Sequence, residues 1–196
     1  MVIGLTGGIG SGKSTVAKMF LNFENIAYYN ADEEAKNLMN NSLKIKENLI
    51  KEFGNESYLN NSLNRPYIAN IVFNDKKKLA ILNNIVHPVV YEHLNNFIFK
   101  NKDKNYILYE NAILFENGSN SFCDKIITVS APIALRIERV IKRDHSNYND
   151  VKKRMNNQWR DEKKIMQSNY IINNIDINLT KNNVKQIHHF LTKNKH

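Results

Sequence analysis

The chain has 196 residues with 28 Lys or Arg against 19 Asp or Glu, a formal net charge of +9. That length buries the core of one domain with an excursion or two, and no apolar run of about 18 residues is present to span a membrane. A single cysteine, Cys123, excludes an intramolecular disulfide framework and favours a reducing, cytoplasmic setting.

The N-terminus runs from Met1 straight into a short apolar stretch and then glycines, without the charged start and cleavage site of a secretory signal. Excess positive charge invites a nucleic-acid reading. Against it, the lysines are scattered, the Asn pairs at 40–41, 60–61 and 182–183 fit an AT-rich coding bias, and no basic–aromatic alternation offers a platform for bases. Nucleic acid is therefore not the expected partner, and the pattern assigns no oligomeric state. Two concentrations stand out instead. Five of the seven glycines lie in the first twelve residues, and five of the six arginines lie at 136, 139, 143, 154 and 160.

In chain order, Val2–Thr6 reads as a buried strand and 14–23 as a helix with Val16, Ala17, Met19, Phe20 and Phe23 on its apolar side. Between them stands GGIGSGKS at 7–14, a full G-x-x-x-x-G-K-[ST] match in the strand–loop–helix context that a P-loop requires. Glycines let successive backbone N–H groups turn inward as an anion nest, and the following helix adds its positive dipole end. Gly8, Gly10, Ser11, Gly12, Lys13, Ser14 and Thr15 are the candidate triphosphate cradle. Lys13 would reach the β- and γ-phosphates, the Ser14 hydroxyl would ligate Mg²⁺, and Thr15 would cap or pack the first turn.

Apolar strand candidates recur at 26–29, 106–109, 125–129 and 170–172, which predicts an α/β fold with about five parallel strands flanked by helices. Asp32 follows the second of them, where a general base facing the loop and a helix N-terminal acid both fit. Residues 43–100 read as mostly helical. One helix stops at Gly54, and a long amphipathic run from Leu79 to Phe97 is interrupted by His87-Pro88, which predicts a kink or a division. Glu110 ends an apolar strand, the place of a carboxylate that holds Mg²⁺ through water; a surface Glu fits that position equally. Arg136, Arg139 and Arg143 share a helical stripe opposite Ala134, Ile137 and Ile141, and a second helix carries Val151, Met155 and Trp159. Around the polar link 145–149 these two helices read as a mobile lid bringing guanidinium groups over ATP. His93, His188 and His189 lack a suitably spaced Cys partner and read as helix residues rather than metal ligands; residues 192–196 read as a frayed end.

No N/T-K-x-D or D-x-x-G for a GTPase is present, nor the Leu-Ser-Gly-Gly-Gln signature of a transporter ATPase. A kinase for a nucleoside monophosphate and a nucleotide-controlled switch stand as rivals. The ordered set of Leu5–Thr15, Asn30-Ala31-Asp32, Arg65, Val72-Phe73, His87-Pro88, Leu114-Phe115-Glu116, Arg139, Arg143, Gln158 and Asn174 resembles the dephospho-coenzyme A kinase family, within the P-loop kinases of the adenylate-kinase type. The resemblance covers nearly the whole chain. It implies a core of 1–30, 104–132 and 168–196, a helical acceptor-binding region 31–103 and a lid 133–167. It further implies Mg²⁺- and ATP-dependent phosphorylation of the ribose 3′-hydroxyl of dephospho-coenzyme A. Asp32 is then the base, Lys13 and Arg139 complete the catalytic set, Arg139 and Arg143 take nucleotide phosphates, and Arg65, His87 and Glu116 take the acceptor. Four positions depart from the family: Asn30 replaces an Asp, Ala112 a Pro, and Ser168-Asn169 an Ala-Asp pair. Loss of a carboxylate at 30 predicts a lowered rate rather than a lost activity.

Overall fold

The computed structural model describes residues 1–73 and 75–193. The predicted parallel sheet is present. Its strands are β1 (Val2–Thr6), β2 (Ile26–Asn30), β5 (Tyr106–Glu110), β6 (Lys125–Ser130) and β7 (Tyr170–Asn173), in the order β2-β5-β1-β6-β7. All five residues of β1 are buried, as a central strand covered on both faces requires. Leu5 pairs with Glu110 on one side and with Ile127 on the other, so β1, β5 and β6 present their carboxyl ends together. Ligands of open α/β sheets bind at that edge.

Gly4 shows why one early glycine lies outside the loop. A Cβ there would stand 2.8 Å from both the Cys123 sulfur and Leu114 Cδ2, so the residue serves packing rather than phosphate. Burial pushes the Cys123 thiol up to about 12, with the Asp124 charge adding to it, which leaves little of it as thiolate near neutral pH.

Helix α1 (Lys13–Phe20) stops three residues short of the predicted end. The chain tightens there through Asn22 N–H to Met19 O and Phe23 N–H to Phe20 O, yet Phe23 still packs on the core. That core joins Ile3, Leu5, Val16, Phe20, Leu108 and Ile127 to Val184, Ile187 and Leu191 of α9 (Ile177–Thr192). Each such large side chain contributes about 1.5–3 kcal/mol by leaving water. Asp176 caps α9 by accepting from Asn178 and Leu179 N–H at 2.9 and 2.8 Å. Fraying was expected from 192, but Thr192 remains in the helix with its hydroxyl donating to His188 O; residues 194–196 of that expectation lie outside the described residues.

The chain divides into two compact units, Met1–Asn30 with Asn101–His196, and Ala31–Lys100. The second holds α2 (Ala31–Asn41), α3 (Leu43–Phe53), α4 (Arg65–Phe73) and α5 (Lys76–Lys100) around Ile45, Leu49, Phe53, Ile68, Val86 and Val90. Two features differ from the sequence reading. Asn60 and Asn61 are more than coding bias: with φ of 47° and 63° they turn a short hairpin between β3 (Tyr58–Leu59) and β4 (Ser62–Leu63), a left-handed pair that Asn adopts more readily than other side chains. Pro88 does not divide its helix, because it lies inside α5 on the exposed side with Asn84, whose carbonyl loses its helical partner, also exposed. Water can serve that carbonyl.

In the first unit α6 (Ile133–Asp144), α7 (Tyr148–Asn156) and α8 (Asp161–Ile165) make three helices where two were expected. α7 ends at Asn156, so Trp159 stands in the connection to α8 and stacks parallel to Phe115 at 6.1 Å between centroids. Ala134 is exposed, and the inward residues of α6 are Ile137 and Val140, packed with Val151.

Candidate active site

The loop from Gly7 to Gly12 joins the buried end of β1 to the N-terminus of α1. At Gly10 φ is +79°, and a Cβ would run into the backbone carbonyl of Arg136, so only glycine fits. Gly12 caps α1 in the left-handed region, and a Cβ on it would collide with the Asn174 amide. Asn174 Nδ2 donates to Ser11 O at 2.9 Å, while its own carbonyl accepts from Arg139 Nη2 at 3.0 Å. The return from β7 thus fixes the loop and one of the predicted arginines at once.

Lys13 donates to Gly7 O at 2.9 Å, folded along the loop whose phosphates it is expected to reach. Buried atoms around it lack partners: Thr6 Oγ1, Ser11 Oγ and Arg139 Nη1 make no hydrogen bond among the described residues. A buried donor without an acceptor costs about 1–3 kcal/mol. A guanidinium nitrogen and a nest hydroxyl in that condition fit an anion with several oxygens, as the triphosphate of ATP is. Thr15 lies exposed in the first turn of α1.

Glu110 is not a surface acid. It is 6% exposed at the end of β5; its Oε1 accepts from the Ser14 hydroxyl at 2.9 Å and its Oε2 from the Tyr28 hydroxyl at 2.7 Å. Asn30 Nδ2 donates to that Tyr28 hydroxyl at 3.3 Å. A hydroxyl and a carboxylate oxygen side by side at a phosphate nest are the donor types that a hard cation such as Mg²⁺ takes, the phosphates and water completing its shell. Among the described residues no group of three or more His, Cys, Asp or Glu side chains could hold a metal ion, so the residues fit a cation shared with a nucleotide rather than one caged by protein.

Arg136, Arg139 and Arg143, expected on one stripe, do not act together. Arg139 sits at the loop as described. Arg143 binds Asp144 through two contacts, Nε to Oδ1 at 2.6 Å and Nη2 to Oδ2 at 3.0 Å, and Arg154 reaches the same carboxylate at 2.7 Å. Hydrogen bonds from Arg143 and then Arg154 hold the Asp144 carboxyl well below the usual range. Arg136 is 5% exposed and serves the loop backbone. Glu116 accepts from Trp159 N–H at 2.9 Å and pairs with Lys164 at 2.8 Å, and Lys164, fully buried, also donates to Ala112 O. In the second unit Asp32 lies in the first turn of α2 and Arg65 begins α4 in an exposed position. His87 is half-buried in α5 against Tyr91, and burial lowers its pKa.

The family described as CoaE, dephospho-CoA kinase, matches residues 1–179. The chain belongs to the dephospho-CoA kinase family. A dephospho-CoA kinase of Fusobacterium nucleatum is 37% identical over 175 residues, covering 89% of each chain. The crystal structure of TT1252 from Thermus thermophilus matches with a TM-score of 0.86 at 28% identity, covering 98% of each chain. A dephospho-CoA kinase from Campylobacter jejuni matches with a TM-score of 0.65 at 23% identity, covering 98% of this chain and 97% of that one, and supports the P-loop kinase fold.

Two departures from the family have a structural reading. Asn169 Oδ1 accepts from Ile126 N–H at 2.8 Å, a task that needs an acceptor oxygen and no charge, so Asn serves where Asp was expected. The feature of Ala112 that the structure uses is its carbonyl, which any residue supplies. Sequence reading missed Lys164 and Asp161 altogether. Neither carries a motif, and what brings them to Glu116 and Arg136 is the fold of α8 against the sheet.

Proposed function

We propose that this chain transfers the γ-phosphoryl group of ATP to the ribose 3′-hydroxyl of dephospho-coenzyme A, giving coenzyme A and ADP. The observation that carries the reading is the Ser14–Glu110 contact at the mouth of a P-loop, in a chain whose family match runs from residue 1 to residue 179. When bound, Mg-ATP supplies the phosphoryl group and a cation that offsets charge on its oxygens.

The residues of the chain do the placing. Lys13 exchanges the Gly7 carbonyl for a phosphate oxygen, and Arg139 turns its unpartnered Nη1 to the same charge. Ser14 and Glu110 would hold Mg²⁺, the hydroxyl directly and the carboxylate through water, and Tyr28 holds the second Glu110 oxygen in place. Arg143 reaches phosphate by giving up Asp144. Asp32 orients the acceptor hydroxyl and accepts its proton, while Arg65 and His87 bind the rest of the acceptor. A loose phosphoryl-transfer transition state asks chiefly for alignment and charge stabilisation, so orientation is the larger part of what Asp32 does. Glu116 contributes through Lys164 and Trp159. Among the described residues no helix is long and apolar enough to cross a membrane; a single cysteine supports a cytoplasmic place of action.

The test is ADP release from purified protein with Mg-ATP, comparing dephospho-coenzyme A with AMP, CMP, UMP, adenosine and no acceptor. Release with dephospho-coenzyme A alone, with coenzyme A identified by mass, is the expected result. Release with a nucleoside monophosphate instead would overturn the acceptor, and ATP binding without release would favour a switch.

A further inference from the structure

Ile9, at the tip of the loop, is held from outside by side chains of the region 133–167. Its N–H donates to Gln158 Oε1 at 2.8 Å and its carbonyl accepts from Arg136 Nε at 2.9 Å. Its side chain packs on the cluster of Ile137, Val140 and Val151. Arg136 pairs in turn through Nη1 with Asp161 Oδ2 at 2.8 Å, with side-chain exposures of only 7% and 11%. A Cβ on Gly8 would collide with this guanidinium, so that glycine makes room for the arginine as well as for phosphate. None of these contacts leaves the Arg136 guanidinium aimed at a nucleotide. It is spent on the backbone that forms the nest.

We infer that Asp161 is a positioning residue for ATP: by holding Arg136 against the Ile9 carbonyl, it keeps the loop tip in the phosphate-binding conformation. The inference rests on the reading of this loop as the ATP-phosphate site. An ionised Asp161 is what fastens Arg136, since a planar guanidinium keeps its direction only while a carboxylate matches it. Burial raises the Asp161 pKa, opposed by Arg136 first, then Lys164 and the Gly8 N–H, with Glu162 adding to the rise. A cavity of about 620 Å³ lined by Asp161, Arg136, Lys152, Arg160 and Glu162 among others gives protons a path to the pair. Protonation of Asp161 on acidification then loosens the tip.

The experiment measures KM for ATP and kcat from pH 5 to 8 in wild type, Asp161→Asn, Arg136→Lys and the double variant, with thermal melts on each. In wild type, KM for ATP rises toward acid pH. In Asp161→Asn it is raised about tenfold at pH 8 and flat with pH, with a smaller change in kcat. Arg136→Lys keeps the charge but not the forked geometry and shows the same loss, and the double variant loses no more than either single one. Protection of the amides in a peptide covering Gly8 and Ile9 of the wild-type protein, corrected for the intrinsic pH dependence of exchange, falls on acidification, a readout that needs no variant to fold. A KM for ATP unchanged in Asp161→Asn, losses that add in the double variant, or a corrected protection at 8–9 indifferent to pH would each overturn the inference. Failure of wild type to bind ATP at all would instead sink the functional reading.

Discussion

Lys13 and Asp32 carry the sharpest expectations at the residue scale. Removing the Lys13 ammonium deprives the transferring phosphoryl group of a fixed positive charge, and losses of that kind run to about 10²–10³-fold in kcat. Lys13→Ala is accordingly expected to bring ADP release down to background in the acceptor assay. Asp32→Asn keeps the shape and removes the base, so kcat is expected to fall by about 10²-fold or more while KM for ATP changes little. Full turnover in that variant would end the base assignment and turn attention to Asn30 and Glu110. Arginine shows how far residue identity alone carries. All five arginines of the 136–160 segment suit phosphate chemically, yet Arg139 reaches the loop, Arg136 clamps its backbone, and Arg143 and Arg154 bind Asp144. Spacing placed three of them on one stripe; what divides them is the partner each meets, Asp161 for Arg136, the Asn174 carbonyl for Arg139 and the neighbouring Asp144 for Arg143.

Elements that the sequence made legible are those with a strong local cause. A P-loop between an apolar strand and an amphipathic helix is written in consecutive residues, and β1, the loop and α1 lie where that pattern puts them. Less legible were elements governed by short-range polar geometry. The hairpin at Asn60-Asn61 depends on two left-handed residues, and a pair of asparagines in an Asn-rich chain gives little contrast. Pro88 is the converse case, a local breaker overridden by packing, since Val86, Val90 and Leu94 of the same helix are buried. Pro88→Ala restores a helical N–H at an exposed position and is expected to stabilise the protein by on the order of 1–3 kcal/mol. Urea denaturation reads this directly, and an unchanged or lower midpoint would show that the proline ring contributes more by packing than its missing bond costs.

For the whole molecule, α9 is the element that closes the sheet. Its His188 stacks on Phe23 at 3.9 Å between centroids and shares a 2.9 Å hydrogen bond between Nδ1 and the Tyr106 hydroxyl. Burial, and then the neighbouring His189, lower the His188 pKa, and burial alone lowers that of His87. A group whose folded pKa lies below its unfolded value contributes stability that is present above the unfolded value and lost as pH falls through the folded one. Stability is therefore expected to decline on acidification below about pH 6.5, the ordinary imidazole value. Thermal melts from pH 8 to pH 5 check it, and the decline is expected to be shallower in His188→Gln. A decline no shallower than in wild type would remove His188 from the explanation.

The sequence by itself determined the strand–loop–helix that holds phosphate, the parallel sheet behind it and the family to which the chain belongs. The first two rest on consecutive residues or on hydrophobic period, which act through local sterics and backbone dipoles, and the third on a resemblance carried by motifs ordered along the chain. Tertiary structure alone decided that Glu110 is buried against Ser14, that Arg136 faces the loop backbone, and that Lys164 and Asp161 stand behind Glu116 and Arg136. Each of those pairs joins elements separated along the chain by at least one other element. Whether a charge meets water, substrate or another charge depends on what the fold brings opposite it, and no local pattern records that.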